Sequence, residues 1–226
     1  MQYGEVISGR FLDRPNRFIA HVETADGVQT VHVKNTGRCR ELLLPGVTVY
    51  LEKGSNPNRK TAYDLIAVEK GNTLINMDAQ APNRVFAEWV AGSQAFPDVK
   101  RVKPEYPYGG SRLDFCLETE RGLHLVEVKG VTLEEDGKAR FPDAPTERGV
   151  RHIQELQKAV DGGLDATLFF VVQMNNIQSV SPNDETHPAF GAALRKAVQH
   201  GVRVLAYTCD VTPDSLTIYQ PVPVIL

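Results

Sequence analysis

Apolar and polar positions alternate in short bursts through the first third of the chain, and turn residues interrupt them at regular intervals. Apolar-alternating runs at 6–12, 17–24, 29–34, 48–53, 62–70 and 73–76 are separated by Asp26-Gly27, Pro45-Gly46, Gly54-Ser55-Asn56-Pro57 and Gly71-Asn72. Many short strands with turn chemistry between them predict a small closed β-barrel, and an OB-type barrel fits best. Residues 36–44 supply one helix-like connection.

After Ala81-Pro82 the period changes. Asn83 is placed to cap a helix running to about Ser93, followed by an extended stretch over 100–106. Two strands then meet at a polar turn, Thr119-Glu120-Arg121-Gly122, closed by a glycine as short hairpin loops are. A second helix starts near Thr146 and carries Val150, Ile153, Leu156 and Val160 at helical spacing. The unbroken apolar run 166–172 reads as a strand buried on both faces. A third helix opens on His187-Pro188 and stops before Gly201, and 202–207 is a further buried strand. This order predicts a mixed sheet with helices packed on it. The expected division is a barrel over 1–81 and an α/β domain over 82–226.

The hairpin holds the candidate chemistry. Strand side chains alternate, so Glu127 and Lys129 share a face opposite Val126 and Val128, while Asp114 sits with Arg112 and Cys116, opposite Leu113, Phe115 and Leu117. Regular pairing about the turn puts Asp114 across from Glu127. Carboxylates so placed repel, with Cβ atoms roughly 5 Å apart, and call for a cation between them. Lys129 and Arg112 are available, and so is a divalent ion. Hard oxygen donors suit Mg²⁺ or Mn²⁺, and such a site can polarise a phosphate while Lys129 orients the attacking water. A salt-bridged polar face on an ordinary hairpin stands as the alternative.

Composition narrows the class further. The 226 residues are 42% apolar and 23% charged, enough to build a full core, and the net charge of −3 requires any nucleic-acid partner to be held by local basic patches. Such patches exist on the barrel turns, at Arg38 with Arg40 and at Arg59 with Lys60. Arg148 and His152 lie four apart on one helix face, free to meet phosphate or to lean over the carboxylates. Cys39, Cys116 and Cys209 are odd in number and widely spaced, which fits a reducing cytoplasm. No apolar run reaches membrane-spanning length. The apolar tail 222–226 or an exposed edge strand leaves self-association open.

Several stretches in one order resemble the sugar fermentation stimulation protein family, whose second half is similar to the PD-(D/E)xK restriction-endonuclease-like fold. They are Asn35-Thr36-Gly37, Ser55 to Lys60, Asn83-Arg84, Ser111 to Phe115, Val126 to Leu133, Phe141 to Ala144, and Thr146-Glu147-Arg148-Gly149 with His152. The resemblance implies DNA binding, an N-terminal OB-like barrel and a C-terminal nuclease-like domain. In that domain Asp114 and Glu127 hold Mg²⁺ or Mn²⁺, Lys129 acts on water, and Glu88 is an additional acidic ligand from the preceding helix. It equally implies a DNA-binding regulator in which the nuclease fold cleaves nothing. Gly130, where many members carry Ser, and Arg38-Cys39-Arg40-Glu41 depart from the family pattern.

Overall fold

The structure, a computed structural model, describes every residue except Thr36 and Pro57, which fall in two of the stretches above and lie outside the described residues. The first six strands are β1 (Val6–Asn16), β2 (Ile19–Thr24), β3 (Gly27–Val33), β4 (Thr48–Lys53), β5 (Tyr63–Lys70) and β6 (Thr73–Asn76). They pair in the order β3-β2-β1-β4-β5-β6, and a parallel contact between β3 and β5 closes a five-stranded barrel with β6 appended. Closure removes the free edges that an open sheet would expose. Its interior holds Phe11, Val22, Val31, Val49, Leu51, Leu65 and Val68, all buried. The expected helix-like connection is a turn at Cys39, whose carbonyl accepts the N–H groups of Leu42 and Leu43.

The second unit contains α1 (Ala81–Val90), β7 (Arg101–Tyr108), β8 (Ser111–Thr119), β9 (Gly122–Val131), β10 (Leu133–Glu135), β11 (Lys138–Phe141), α2 (Glu147–Asp161), β12 (Asp165–Val172), β13 (Ser179–Pro182), α3 (Pro188–Gln199), β14 (Arg203–Thr212) and β15 (Ser215–Val222). Its main sheet runs β15-β14-β12-β9-β8-β7, parallel in the centre and antiparallel toward both edges. One face packs on α1 through an aromatic cluster in which Phe86 lies 4.9 Å from Phe169 and 5.0 Å from Phe115, between ring centroids. The other face packs on α2 and α3 through Ile153, Leu156, Phe190 and Leu194. The acidic hairpin β10–β11 is tied down, because Lys70 of the barrel donates to Glu134 and forms an ion pair with it at 2.6 Å. The C-terminal tail packs on its own chain: the Ile225 N–H donates to the Val180 carbonyl, although Ile225 and Leu226 remain exposed. Among the described residues no helix is long and apolar enough to cross a membrane.

Barrel and sheet are joined by buried polar contacts. Gln173 Nε2 donates to Asn76 Oδ1 (2.9 Å) and to the Asp78 carbonyl (3.0 Å), and Asn76 Nδ2 donates to the Tyr3 hydroxyl (2.8 Å). Lys34 reaches Asp78 at 2.8 Å. Satisfied buried networks of this kind fix one geometry, because misplacing a member strands a desolvated polar group. The fold thus holds the barrel in place against the sheet that carries Asp114 and Glu127.

Candidate metal centre and its surroundings

The hairpin forms as its turn requires. Thr119 pairs with Gly122, whose φ of +122° suits a residue without Cβ, and the ladder runs back to Phe115 opposite Val126. There it stops, one step before Asp114 would face Glu127. The Val128 N–H donates instead to Asp114 Oδ2 at 2.8 Å. On the other side Glu105 of β7, at φ +55°, is skipped in its ladder with β8. This irregularity breaks the alternation expected along β8: Leu113 packs in the layer of Cys116, while Phe115 and Leu117 pack in the other. It also leaves Arg112 on the surface, paired with Glu105 at 2.8 Å and away from the carboxylates.

The opened end of the hairpin is a cleft of about 240 Å³ lined by Asn83, Asp114, Glu127, Lys129, Gly130 and Arg148, among others. Glu127 is almost fully buried at 1% exposure. Its Oε1 receives both His152 Nδ1 and Lys129 Nζ. Its Oε2 is buried with no hydrogen-bond partner among the described residues. Burial pushes the Glu127 carboxyl upward, but the hydrogen bond from His152 and the charge and hydrogen bond of Lys129 outweigh it and hold the group below its ordinary range. Asp114 shifts the other way: burial first, then the neighbouring Glu127 charge, raise it against the opposing pull of Lys129, Val128 and Asn83. The two carboxylates therefore share one environment and repel within it.

Helix α2 supplies the back wall, and its first turn explains the stretch Thr146-Glu147-Arg148-Gly149. Thr146 Oγ1 accepts the Gly149 N–H at 3.1 Å, a side-chain N-cap. A Cβ on Gly149 would lie 2.9 Å from the Thr146 side chain and 3.3 Å from Phe190, so glycine permits the close approach of α3. Glu147 reaches His187 at 3.1 Å. Arg148 Nε donates to His152 Nε2 at 3.3 Å, which makes His152 the Nδ1–H tautomer that donates to Glu127.

One expected site residue falls elsewhere and another takes only one of its expected roles. Glu88 is absent from the cleft lining and instead forms an ion pair with the N-terminal amine at 2.7 Å, with about half its side chain exposed. The reason is helical geometry, since Asn83 is the α1 residue that reaches the site, donating to Asp114 Oδ1 at 3.0 Å. Five residues further along, Glu88 sits about 140° around the helix and about 7.5 Å along it. Asn83 is accordingly not a cap: the helix begins at Ala81, with Pro82 in its first turn. Of the two courses open to His152, meeting phosphate or leaning over the carboxylates, the structure shows the second: it is only 4% exposed and packs against Glu127, too deep for a DNA backbone.

On the barrel, Arg59 is held in a two-pronged pair with Asp64, one prong 2.9 Å, so its charge is already compensated. Lys60, Arg38 and Arg40 are exposed. Among the described residues no group of three His, Cys, Asp or Glu side chains is arranged to hold an ion. A cation here would rest on Asp114, Glu127 and the nearby Val128 carbonyl, with water completing its shell, a donor set that suits Mg²⁺. The unpartnered Oε2 beside a second, repelled carboxylate fits that requirement.

An OB barrel fused to a sandwich of restriction-endonuclease type, with an acidic pair and an adjacent lysine at the splayed end of a hairpin, defines a nuclease-like class. Residues 80–215 match the family model described as the sugar fermentation stimulation protein RE domain, and residues 12–77 match that of the SfsA N-terminal OB domain. A sugar fermentation stimulation protein homolog of Desulfitobacterium hafniense (strain Y51) is 54% identical over 216 residues, 96% of this chain and 94% of the relative. One from Clostridium beijerinckii is 48% identical across the whole of both chains. The solved structure of Pyrococcus furiosus SfsA in complex with Ca²⁺ superposes with a TM-score of 0.91 at 26% identity, covering 100% of this chain and 98% of that one. The chain belongs to the sugar fermentation stimulation protein family.

Proposed function

We propose that the protein binds DNA and that the Asp114–Glu127 cleft hydrolyses phosphodiester bonds with Mg²⁺ or Mn²⁺. The observation that carries this reading is the buried Oε2 of Glu127, without a hydrogen-bond partner among the described residues, on a side chain that lines one cleft with Asp114. Leaving such an oxygen desolvated costs about 1–3 kcal/mol or more for a charged group, and a facing cation offsets that cost. The Pyrococcus furiosus relative was solved with Ca²⁺, another hard, oxygen-seeking cation, which supports the assignment. When bound, the ion supplies Lewis acidity toward a phosphate oxygen and makes water a stronger acid.

The chain's own groups have separable tasks. Lys129 Nζ, held on Glu127 and mostly buried, orients water at the cleft and stabilises negative charge that develops there. Arg148 stands at the rim, where a guanidinium matches the geometry of a phosphate. His152 fixes Glu127 through Oε1 and leaves Oε2 available to an ion. Asn83 and the Val128 N–H do the same for Asp114.

The test is cleavage of labelled DNA in Mg²⁺ or Mn²⁺ by the wild type, Asp114→Ala and Lys129→Ala. Loss of cutting in both variants with DNA binding retained supports the proposal. Cutting that survives in both refutes this site, and binding without cutting in any of the proteins identifies a regulator that uses the nuclease fold as a scaffold.

A further inference from the structure

The barrel carries a feature that the cleavage site does not use. Of the nine phenylalanines, Phe18 has the one exposed side chain among the described residues, at 46%. It sits on the turn between β1 and β2, and that turn is rigidly held. Asn16 Oδ1 accepts the N–H groups of both Phe18 (2.9 Å) and Ile19 (3.1 Å), and the Phe18 carbonyl accepts the Val33 N–H at 2.8 Å. The Arg17 guanidinium lies 5.0 Å from the centre of its ring.

Two hollows flank the turn that carries this ring. One, of about 430 Å³, runs from Phe18 past Lys34 to Ala79. Ala79 also lines the cleft of Asp114 and Glu127, so the barrel groove and the cleft adjoin at this residue. On the other side of the turn a hollow of about 400 Å³ is lined by Arg14, Arg17, Arg38 and Arg40. Arg14 directs its guanidinium to the main-chain carbonyls of Arg17, Asn35, Gly37 and Arg38, which fixes the hollow's shape. The barrel's ion pairs occupy Arg10, Lys34, Lys53, Arg59 and Lys70, leaving Arg17, Arg38 and Arg40 without a carboxylate partner among the described residues. Glu41 and Asp143 near Cys39 offset part of that charge from behind.

We infer that Phe18 is a stacking platform for a base of single-stranded DNA, whose backbone is held by Arg17, Arg38 and Arg40 and whose course follows the groove past Ala79 to the cleft. An aromatic face is open only to a base that has left the duplex stack, so the feature selects unpaired over paired strands. Unpartnered guanidiniums beside it supply the sequence-independent backbone contacts that such binding needs. The inference rests on the DNA reading given under Proposed function and names the strand form that reading leaves open.

The test is fluorescence anisotropy of the full chain in EDTA, with a labelled oligothymidylate and, separately, a labelled duplex. Phe18→Ala weakens oligothymidylate binding by about 5- to 150-fold, the range found for losing one stacked base, while duplex binding changes less than about twofold. Phe18→Trp restores it. The Arg38→Ala/Arg40→Ala double variant lowers the slope of log affinity against log salt by about 1.4, two single-strand phosphate contacts. Unchanged oligothymidylate binding by Phe18→Ala overturns the platform, and equal loss for duplex overturns the single-strand assignment, in both cases with the DNA reading intact. A wild type that binds neither probe overturns the DNA reading, and this inference with it.

Discussion

Replacing Asp114 with Asn separates a metal centre from a salt-bridged polar face. The substitution keeps size and shape, and its side-chain oxygen can still accept the Val128 N–H. It removes a carboxylate that burial and Glu127 hold above its ordinary range. A carboxylate with a raised folded-state value opposes folding once the unfolded group has ionised, so in EDTA at pH 7 the variant is as stable as wild type or more so. With a divalent ion the order reverses. A ligand that binds only the folded state adds RT ln(1 + [L]/Kd), about 2.7 kcal/mol at a hundredfold excess over Kd. For a chain of this size each kcal/mol moves Tm by about 2–4 °C, so wild type gains about 5–11 °C. Asp114→Asn gains little, because only Glu127 and the Val128 carbonyl remain. Differential scanning calorimetry across a Ca²⁺ or Mg²⁺ titration measures both. A wild type without a metal-dependent shift, or a variant that keeps the full shift, would refute the reasoning.

Four further outcomes follow from the same geometry. Glu88→Ala leaves that metal-dependent Tm shift unchanged, since Glu88 pairs with the N-terminal amine; a reduced shift would restore it to the site. His152→Ala removes a hydrogen bond to a buried charged acceptor and opens a cavity, costing about 2–4 kcal/mol in urea unfolding, and a loss below about 0.5 kcal/mol would contradict its supporting role. Gly130→Ser destabilises by about 1–3 kcal/mol, because a Cβ there would stand 2.6 Å from Pro82 and against Gln173, whose amide is pinned by Asn76 and Asp78; calorimetry checks it. His124, pushed down to about 4 by burial and by Arg203, folds neutral and charges more readily when unfolded. Stability therefore falls from about pH 6.5 toward pH 4, by up to about 3 kcal/mol, and His124→Gln flattens that part of the pH profile.

Much of the fold could be read from local chemistry. The glycine-closed turn, the Thr146 cap, the proline-first helix α3 and the alternating barrel strands are each dictated by residues within a few positions of one another. What escaped depends on distant partners. Strands β10, β11 and β13 are three or four residues long and form a small sheet only because the parallel pairing of β11 with β13 joins segments some forty residues apart. Asn83 carries a cap's side chain, but Pro82 and the Ala81 N–H bond to the Asp78 carbonyl start the helix earlier and release Asn83 to Asp114. His152 counts as polar in any helical pattern, yet a helix lying on a sheet turns some polar positions inward, and Glu127 is the partner that makes its burial tolerable.

That Asp114 and Glu127 come to one end of the hairpin could be read from the turn length, although the regular cross-strand pairing expected of them does not form. The site's working asymmetry could not be read. Glu127 is the fixed member, with one oxygen saturated by His152 and Lys129 and the other left free, while Asp114 is the strained member, held by a backbone N–H and an amide. Asp114 stands where pairing lapses on both sides of β8: it lies one step past the end of the β8–β9 ladder and opposite Glu105, which has a positive φ and is missing from the β7–β8 ladder. The lapse in pairing at Asp114 is what separates this hairpin from a regular one: the Val128 N–H is met by the Asp114 side chain, and both carboxylates come to line one cleft.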